Sequence, residues 1–252
     1  MYGHYYFDRL EDAIDAEHVV WIGYDPLEDQ CAKMLAHSIR SRTTMDDLKI
    51  IPIVRDELLA HGLFERPIDP RGSTQFSLTR FMVPALMGFT GVGIFFDCDM
   101  LVTRDISEMF DLYDPTYAVQ CVQHDYAPKA DPKMGGKPQT TYPRKNWSST
   151  VIYNAAHPSN STLTKKHVEQ ASPKYLHRFE WLKDSEIGSL PIEFNFLVEE
   201  YEMAEELPFN LHHTLGPPIY AEKVNADYHQ QWKAEFAATF GREFDPVRDV
   251  IF

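Results

Sequence analysis

Ile94-Phe95-Phe96-Asp97-Cys98-Asp99-Met100-Leu101-Val102 carries an apolar run straight into two carboxylates and then resumes as apolar sequence. Side chains alternate along a strand, so Asp97 and Asp99 point one way and Cys98 the other. Two hard oxygen ligands at the end of a buried strand suit a divalent cation held against a diphosphate. Unpartnered carboxylates between such hydrophobic flanks would be costly. The plainer reading is a strand-end turn with two solvated Asp residues.

Working outward, the surrounding pattern is that of an α/β protein. His18 to Tyr24 reads as a buried strand. Asp25-Pro26-Leu27-Glu28 then looks like a helix start: Asp25 caps, Pro26 suits the first turn, and Glu28 takes the capping-box position. Cys31, Met34, Leu35, Ser38 and Ile39 follow at helical spacing, and Leu48 to Val54 is a second strand. From Ser73 a further helix is expected, with Leu78, Phe81, Met82, Ala85 and Leu86 on its apolar face and a kink or early end at Pro84. Arg80 is the only charge between Gly72 and Asp97, and reads either as an Arg with a carboxylate or phosphate partner or as a snorkelling surface Arg. Val92 to Phe96 delivers the acidic pair at its C-terminal end, where open α/β sheets bind ligands. Asp105 to Glu108 starts a short helix and Tyr117 to Val122 is a fourth strand. Residues 124–146 form a long loop rich in Pro, Gly, Lys and Arg, read as a lid or acceptor loop. Residues 147–154 read as a strand, Leu211 to Pro218 as a loop, and Tyr228 to Phe240 as a C-terminal amphipathic helix.

The chain has 252 residues, 44% of them hydrophobic, which suits one domain with a sizeable core. Its 38 acidic and 24 basic residues give a net charge of −14, which disfavours nucleic acid or an anionic membrane as a general partner. Three dispersed cysteines, Cys31, Cys98 and Cys121, read as reduced core thiols of a cytoplasmic protein. The N-terminus lacks the features of a signal peptide, and the run from Phe81 to Phe96 is too short to span a bilayer. Any membrane association is expected to be peripheral. No His/Cys group has the spacing of a zinc site.

In order along the chain, these pieces resemble the GT-A fold glycosyltransferases, especially the glycogenin-like and lipopolysaccharide-sugar-transferring enzymes. Trp21-Ile22-Gly23-Tyr24-Asp25 is similar to that family's first strand and nucleotide loop, and Thr79-Arg80-Phe81 with Pro84 to the helix before its DxD motif. Phe95 to Val102 is similar to its DxD strand, and Trp147 to Asn154 to its Asn-Ser-Gly strand, with Trp and Ser replacing Asn and Gly. Leu190-Pro191 with Phe194-Asn195, and His212-His213-Thr214-Leu215-Gly216-Pro217, resemble its two late motifs. The family's Asp-Gln-Asp segment is missing, and Trp181-Leu182-Lys183-Asp184-Ser185-Glu186 occupies its place.

The resemblance implies a single domain with a Rossmann-like mixed sheet flanked by helices. Its nucleotide-sugar-binding half would span about 15–123 and its acceptor-binding half about 124–252. It implies transfer of a hexose from a nucleotide-sugar donor, a UDP-sugar by expectation, to a glycan or glycolipid acceptor in polysaccharide synthesis, with retention of configuration. Asp97 and Asp99 would hold Mn2+ or Mg2+ with a late histidine. Counting from Thr214 favours His212; counting back from Gly216 favours His213. Tyr24 and Asp25 would meet the base and ribose, and Arg80 and Asp97 the diphosphate side. Asp184, Glu186 and Asn195 are the candidates for contact with the transferred sugar or acceptor. Two alternatives stand beside this reading. One is a non-catalytic glycan-binding relative. The other is a sugar-nucleotide nucleotidyltransferase, disfavoured because Gly23-Tyr24-Asp25-Pro26 is not a Gly-rich basic loop.

Overall fold

The computed structural model describes residues 6–14, 16–68, 72, 74–125 and 143–251. The N-terminal part runs β1 (His18–Gly23), α1 (Asp29–Arg40), β2 (Lys49–Ile53), α2 (Arg55–Ala60), α3 (Val83–Leu86), β3 (Val92–Phe96), β4 (Met100–Val102), α4 (Ser107–Phe110) and β5 (Val119–Cys121). The remainder runs β6 (Thr150–Asn154), α5 (Lys165–Gln170), α6 (Pro173–His177), β7 (Ile187–Ser189), β8 (Phe196–Leu197), β9 (Asn210–His212), α7 (His229–Phe240) and α8 (Pro246–Asp249).

Six strands form one mixed sheet in the order β2-β1-β3-β6-β5-β7. β2, β1 and β3 are parallel, β6 is antiparallel to both its neighbours, and β7 is parallel to β5. β1 and β3 are continuous apolar runs because both faces of the sheet are covered: Val19 to Ile22 and Ile94 to Phe96 are fully buried. The chain steps outward from β1 to β2 and then returns to place β3 on the other side of β1. The crevice between the C-terminal ends of β1 and β3 is therefore a topological switch point, the usual ligand position in open α/β sheets. The expected halves share this sheet, since β6 from the second lies between β3 and β5 from the first.

Several elements differ from the sequence reading. The helix expected from Ser73 is reduced to a 3-10 turn, Thr79–Met82, running into the four-residue α3. Pro84 sits in the first turn of α3, where its missing N–H does no harm, and Phe89 N–H closes back on its carbonyl at 2.7 Å. Ser73 itself lies outside the described residues, as does 126–142 of the basic loop, with Lys129, Lys133 and Lys137. The strand expected from Trp147 begins at Thr150, after a 3-10 turn over Trp147–Ser149. Met100 to Val102 does not continue β3. It leaves the large sheet for a second one, ordered β4-β9-β8, and β9 comes from the segment expected to be only a loop.

The C-terminal helix α7 lies against α1, with Trp232 and Phe236 on Cys31, Met34, Ile219 and Tyr220. Buried Glu235 ties α7 to His37 Nδ1 of α1 and to Arg42 Nη2 just beyond its end, each at 2.6 Å. That contact fixes the chain that follows β9 against the helix that follows β1.

Candidate functional site

The small sheet explains how residues more than a hundred positions apart meet. β4 and β9 run antiparallel with Met100 opposite His212, and His213 N–H donates to the Asp99 carbonyl at 3.0 Å. On the other side, Asp97 N–H donates to the Ser149 carbonyl at 2.9 Å, which continues the β3–β6 pairing by one residue. The acidic turn is thus clamped between two ladders, and backbone register sets its geometry.

One oxygen of Asp97, one of Asp99 and a ring nitrogen of His212 lie within 4.8 Å of one another. His212 Nε2 stands 3.4 Å from Asp99 Oδ1. His212 is buried, while the Asp97 and Asp99 side chains keep 17% and 11% exposure, so the cluster opens at its carboxylate side. Of the two candidate histidines, His212 is the one that lies in this cluster. The His213 ring is buried next to it with neither nitrogen hydrogen-bonded among the described residues, and burial pushes its imidazole down to about 4.

Asn195 decides the state of His212. Its Nδ2 donates to the Ser149 hydroxyl at 2.9 Å and to the Asn146 carbonyl at 3.3 Å. A carbonyl can only accept, so Asn195 Oδ1 must be the atom facing His212 Nδ1 at 2.8 Å. Nδ1 therefore carries the proton, and Nε2 offers its lone pair toward the acidic pair. Metal-binding histidines are commonly oriented in this way. Two carboxylates and an imidazole nitrogen fit a divalent cation. A second group, Glu17, His18 and Asp47, lies at the N-terminal end of β1, with both acids exposed.

Of the two readings of Arg80, the structure gives the one with a carboxylate partner. The buried guanidinium lies 2.7 Å from Asp97 Oδ1, donates to the Ser148 carbonyl at 2.9 Å, and sits 5.2 Å and 5.0 Å from the ring centres of Phe76 and Phe95. Burial raises the Asp97 carboxyl to about 6 even though Arg80 pulls it down. Asp25 is committed to the backbone, its two oxygens accepting from Leu27 N–H and Gln75 N–H at 3.0 Å each. Tyr24 is buried with its hydroxyl on Asp29 at 2.8 Å, and its ring packs in the core cluster.

The remaining candidates take different places. Asn195 is fully buried and serves His212, so it does not reach an acceptor. Asp184 and Glu186 precede β7 at its N-terminal end, whereas Asp97 leaves the parallel β3 at its C-terminal end. Asp184 pairs with Arg144 at 2.6 Å, its side chain 90% exposed. Glu186 accepts from Ser159 Oγ at 2.6 Å and from Lys183 N–H at 2.7 Å, and these bonds hold its carboxyl below the usual range. Neither joins the cluster, because they lie at the opposite end of the parallel strands.

Two features escaped the sequence reading. His124, just past the C-terminal end of β5, bonds Tyr201 Oη through Nδ1 at 2.6 Å, and burial pushes its imidazole down to about 3, leaving it neutral. A lone His after a strand gave no signal of this. Glu28, expected in a capping box, is instead buried beneath the acidic turn. It accepts from Cys98 Sγ and from Tyr220 Oη at 3.0 Å each, and burial next to Asp99 raises it to about 8. Its capping-box spacing concealed that role.

No protein-family model matches the chain. Protein CDI of Arabidopsis thaliana is 42% identical over 220 residues, covering 86% of this chain and 85% of that protein. Among solved structures, the glycosyltransferase GlyE of Streptococcus pneumoniae TIGR4 superposes with a TM-score of 0.57 at 14% identity, covering 90% of this chain and 63% of that one. The apo bifunctional glycosyltransferase WbbM gives 0.59 at 13% identity, covering 92% and 52%. The galactosyltransferase LgtC, solved with donor and acceptor sugar analogues, gives 0.52 at 9% identity, covering 92% and all of that chain. This chain thus spans less than two thirds of GlyE and about half of WbbM. No helix among the described residues is long and apolar enough to cross a membrane. At these identities the structural likeness speaks to the fold, which is that of the GT-A glycosyltransferases, while the sequence relationship places the chain in the family of Arabidopsis thaliana protein CDI.

Proposed function

We propose that this chain is a metal-dependent glycosyltransferase that moves a hexose from a nucleotide-sugar donor, a UDP-sugar, to a hydroxyl of a glycan acceptor with retention of configuration. The observation that carries the reading is the meeting of Asp97, Asp99 and His212 at the switch point of the sheet. The fold and the likeness to solved glycosyltransferases support it.

Asp97 and Asp99 would bind the cation through oxygen and His212 through Nε2. A nitrogen ligand beside two carboxylates favours Mn2+ over the strictly oxygen-seeking Mg2+. A cation held there supplies Lewis-acid charge against the diphosphate as it leaves the sugar. Arg80 holds Asp97 in place and keeps it ionised against burial. Asn195 accepts from His212 Nδ1 and so orients Nε2 toward Asp99. Asp25 shapes the turn after β1 where the nucleotide would sit. The acceptor would approach past the end of β5, where neutral His124 and Tyr201 lie. Retention rests on the family resemblance.

Release of nucleotide from a panel of UDP- and GDP-sugars, with Mn2+ and with chelator, tests the reading. Mn2+-dependent release from one donor, abolished in Asp99→Ala, is the expected result. Absence of release from every donor would point to a non-catalytic relative of the fold.

A further inference from the structure

Glu28 lies behind the acidic turn, 2% exposed, and its carboxyl ties the turn after β1 to two other stretches of chain. It belongs to the 3-10 turn Pro26–Glu28 that follows β1 and is capped by Asp25. Its Oε2 accepts from the thiol of Cys98, the residue between Asp97 and Asp99, at 3.0 Å. Its Oε1 accepts from the hydroxyl of Tyr220, downstream of His212, at 3.0 Å. The alternation that turns Asp97 and Asp99 toward solvent turns Cys98 inward onto this carboxyl. Tyr220 is held in turn against Cys31, Met34, Trp232 and Phe236.

This is an expensive arrangement for mere packing. Both bonded partners are neutral groups, so neither offsets the desolvation of the buried carboxyl with an opposite charge. Well-packed apolar residues commonly match or exceed the stability of a buried polar group. What the carboxyl provides is position: it sets the Cys98 thiol against the turn after β1 and against the chain leaving β9.

We infer that Glu28 is a positioning residue for the metal site, fixing through Cys98 and Tyr220 the placement of Asp97 and Asp99 relative to His212. The inference rests on the metal-site reading above. A merely structural Glu28 would alter the melting temperature and leave the cation affinity of the folded chain unchanged.

The test is Mn2+ binding to the full chain, read from the electron paramagnetic resonance signal of free Mn2+, with thermal melts in parallel. Glu28→Gln keeps a neutral acceptor for Tyr220 and an amide that can donate to the Cys98 sulfur, so its affinity should stay close to wild type. Glu28→Leu loses both bonds and should bind about 10- to 100-fold more weakly, the range seen when groups supporting metal ligands are removed. Tyr220→Phe removes one hydroxyl while keeping the ring in place. It should weaken binding in the same direction, and it decides the matter if Glu28→Leu does not fold. Folded Glu28→Leu or Tyr220→Phe with wild-type affinity overturns the inference alone. No Mn2+ uptake by the wild-type chain overturns the metal site and this inference with it.

Discussion

Asn195 Oδ1 accepts the proton of His212 Nδ1 at 2.8 Å, and this one bond fixes which ring nitrogen faces Asp99. Asn195 is itself oriented by the Asn146 carbonyl and the Ser149 hydroxyl. Asn195→Ala should therefore weaken divalent cation binding by about 10- to 100-fold through loss of ring orientation. Asn195→Asp, which can still accept from Nδ1, should bind more tightly than Asn195→Ala. Calorimetric titration with Mn2+ on folded variants checks the order.

Arg80 and Asp97 form a buried pair whose halves do not tolerate separation. Arg80→Met leaves Asp97 without its cation and should cost about 3 kcal/mol or more of stability, the low end for breaking a buried ion pair. Arg80→Lys keeps the charge but loses the planar fork that reaches Asp97 and the Ser148 carbonyl together, so it should fall between. Urea unfolding in metal-free buffer measures both. Added Mn2+ should recover part of the loss in Arg80→Met, because it binds only the folded site.

Gly23, the last residue of β1, has no room for a side chain. A Cβ there would lie 2.3 Å from Cδ2 of the buried Phe76 ring, which also lies 5.2 Å from the Arg80 guanidinium. Gly23→Ala should destabilise by about 1–3 kcal/mol, as overpacking does. By displacing Phe76 it should weaken cation binding as well, and a melt with and without Mn2+ separates the two effects.

The shifted groups predict the pH dependence of the metal-free protein. Glu28, at about 8 against an ordinary 4.5, holds in the folded state a proton that the unfolded chain has released. Its contribution is complete below 4.5 and is lost as pH rises toward 8. His124 and His177 at about 3, and His213 at about 4, stay neutral in the folded state against an ordinary 6.5. Their contribution is present above 6.5 and is lost as pH falls. Below about 6 these three imidazoles outnumber the two raised acids, Glu28 and Asp97. The melting temperature in chelator should peak near pH 6.5. Glu28→Gln should flatten the decline from there to pH 8 and steepen the rise between pH 4.5 and 6.5.

Much of this was legible in the sequence, because burial leaves a pattern. The apolar runs of β1 and β3, the acidic pair, the isolated Arg80 and the helix α7 all stood out by composition and spacing. What did not show was decided by long-range pairing. Leu211-His212-His213 looked like a loop because β9 is three residues long and pairs with β4, over a hundred positions earlier. Asn195 stood out by motif, but its role depends on where Asn146 and Ser149 lie in space. Asp184 and Glu186 were placed by position in a motif this chain lacks, and sheet topology sets them at the other end of the strands. Glu28 had the spacing of a cap, and only the inward turn of Cys98 shows what it holds.

The most direct test of the central claim is whether UDP and Mn2+ bind the chain together at Asp97, Asp99 and His212. Equilibrium titration of UDP should show tight binding with Mn2+, collapse in chelator, and the same collapse in His212→Ala and Asp99→Ala with Mn2+ present. UDP binding of equal affinity with and without Mn2+, or left intact in both variants, would contradict a metal-held diphosphate at this site.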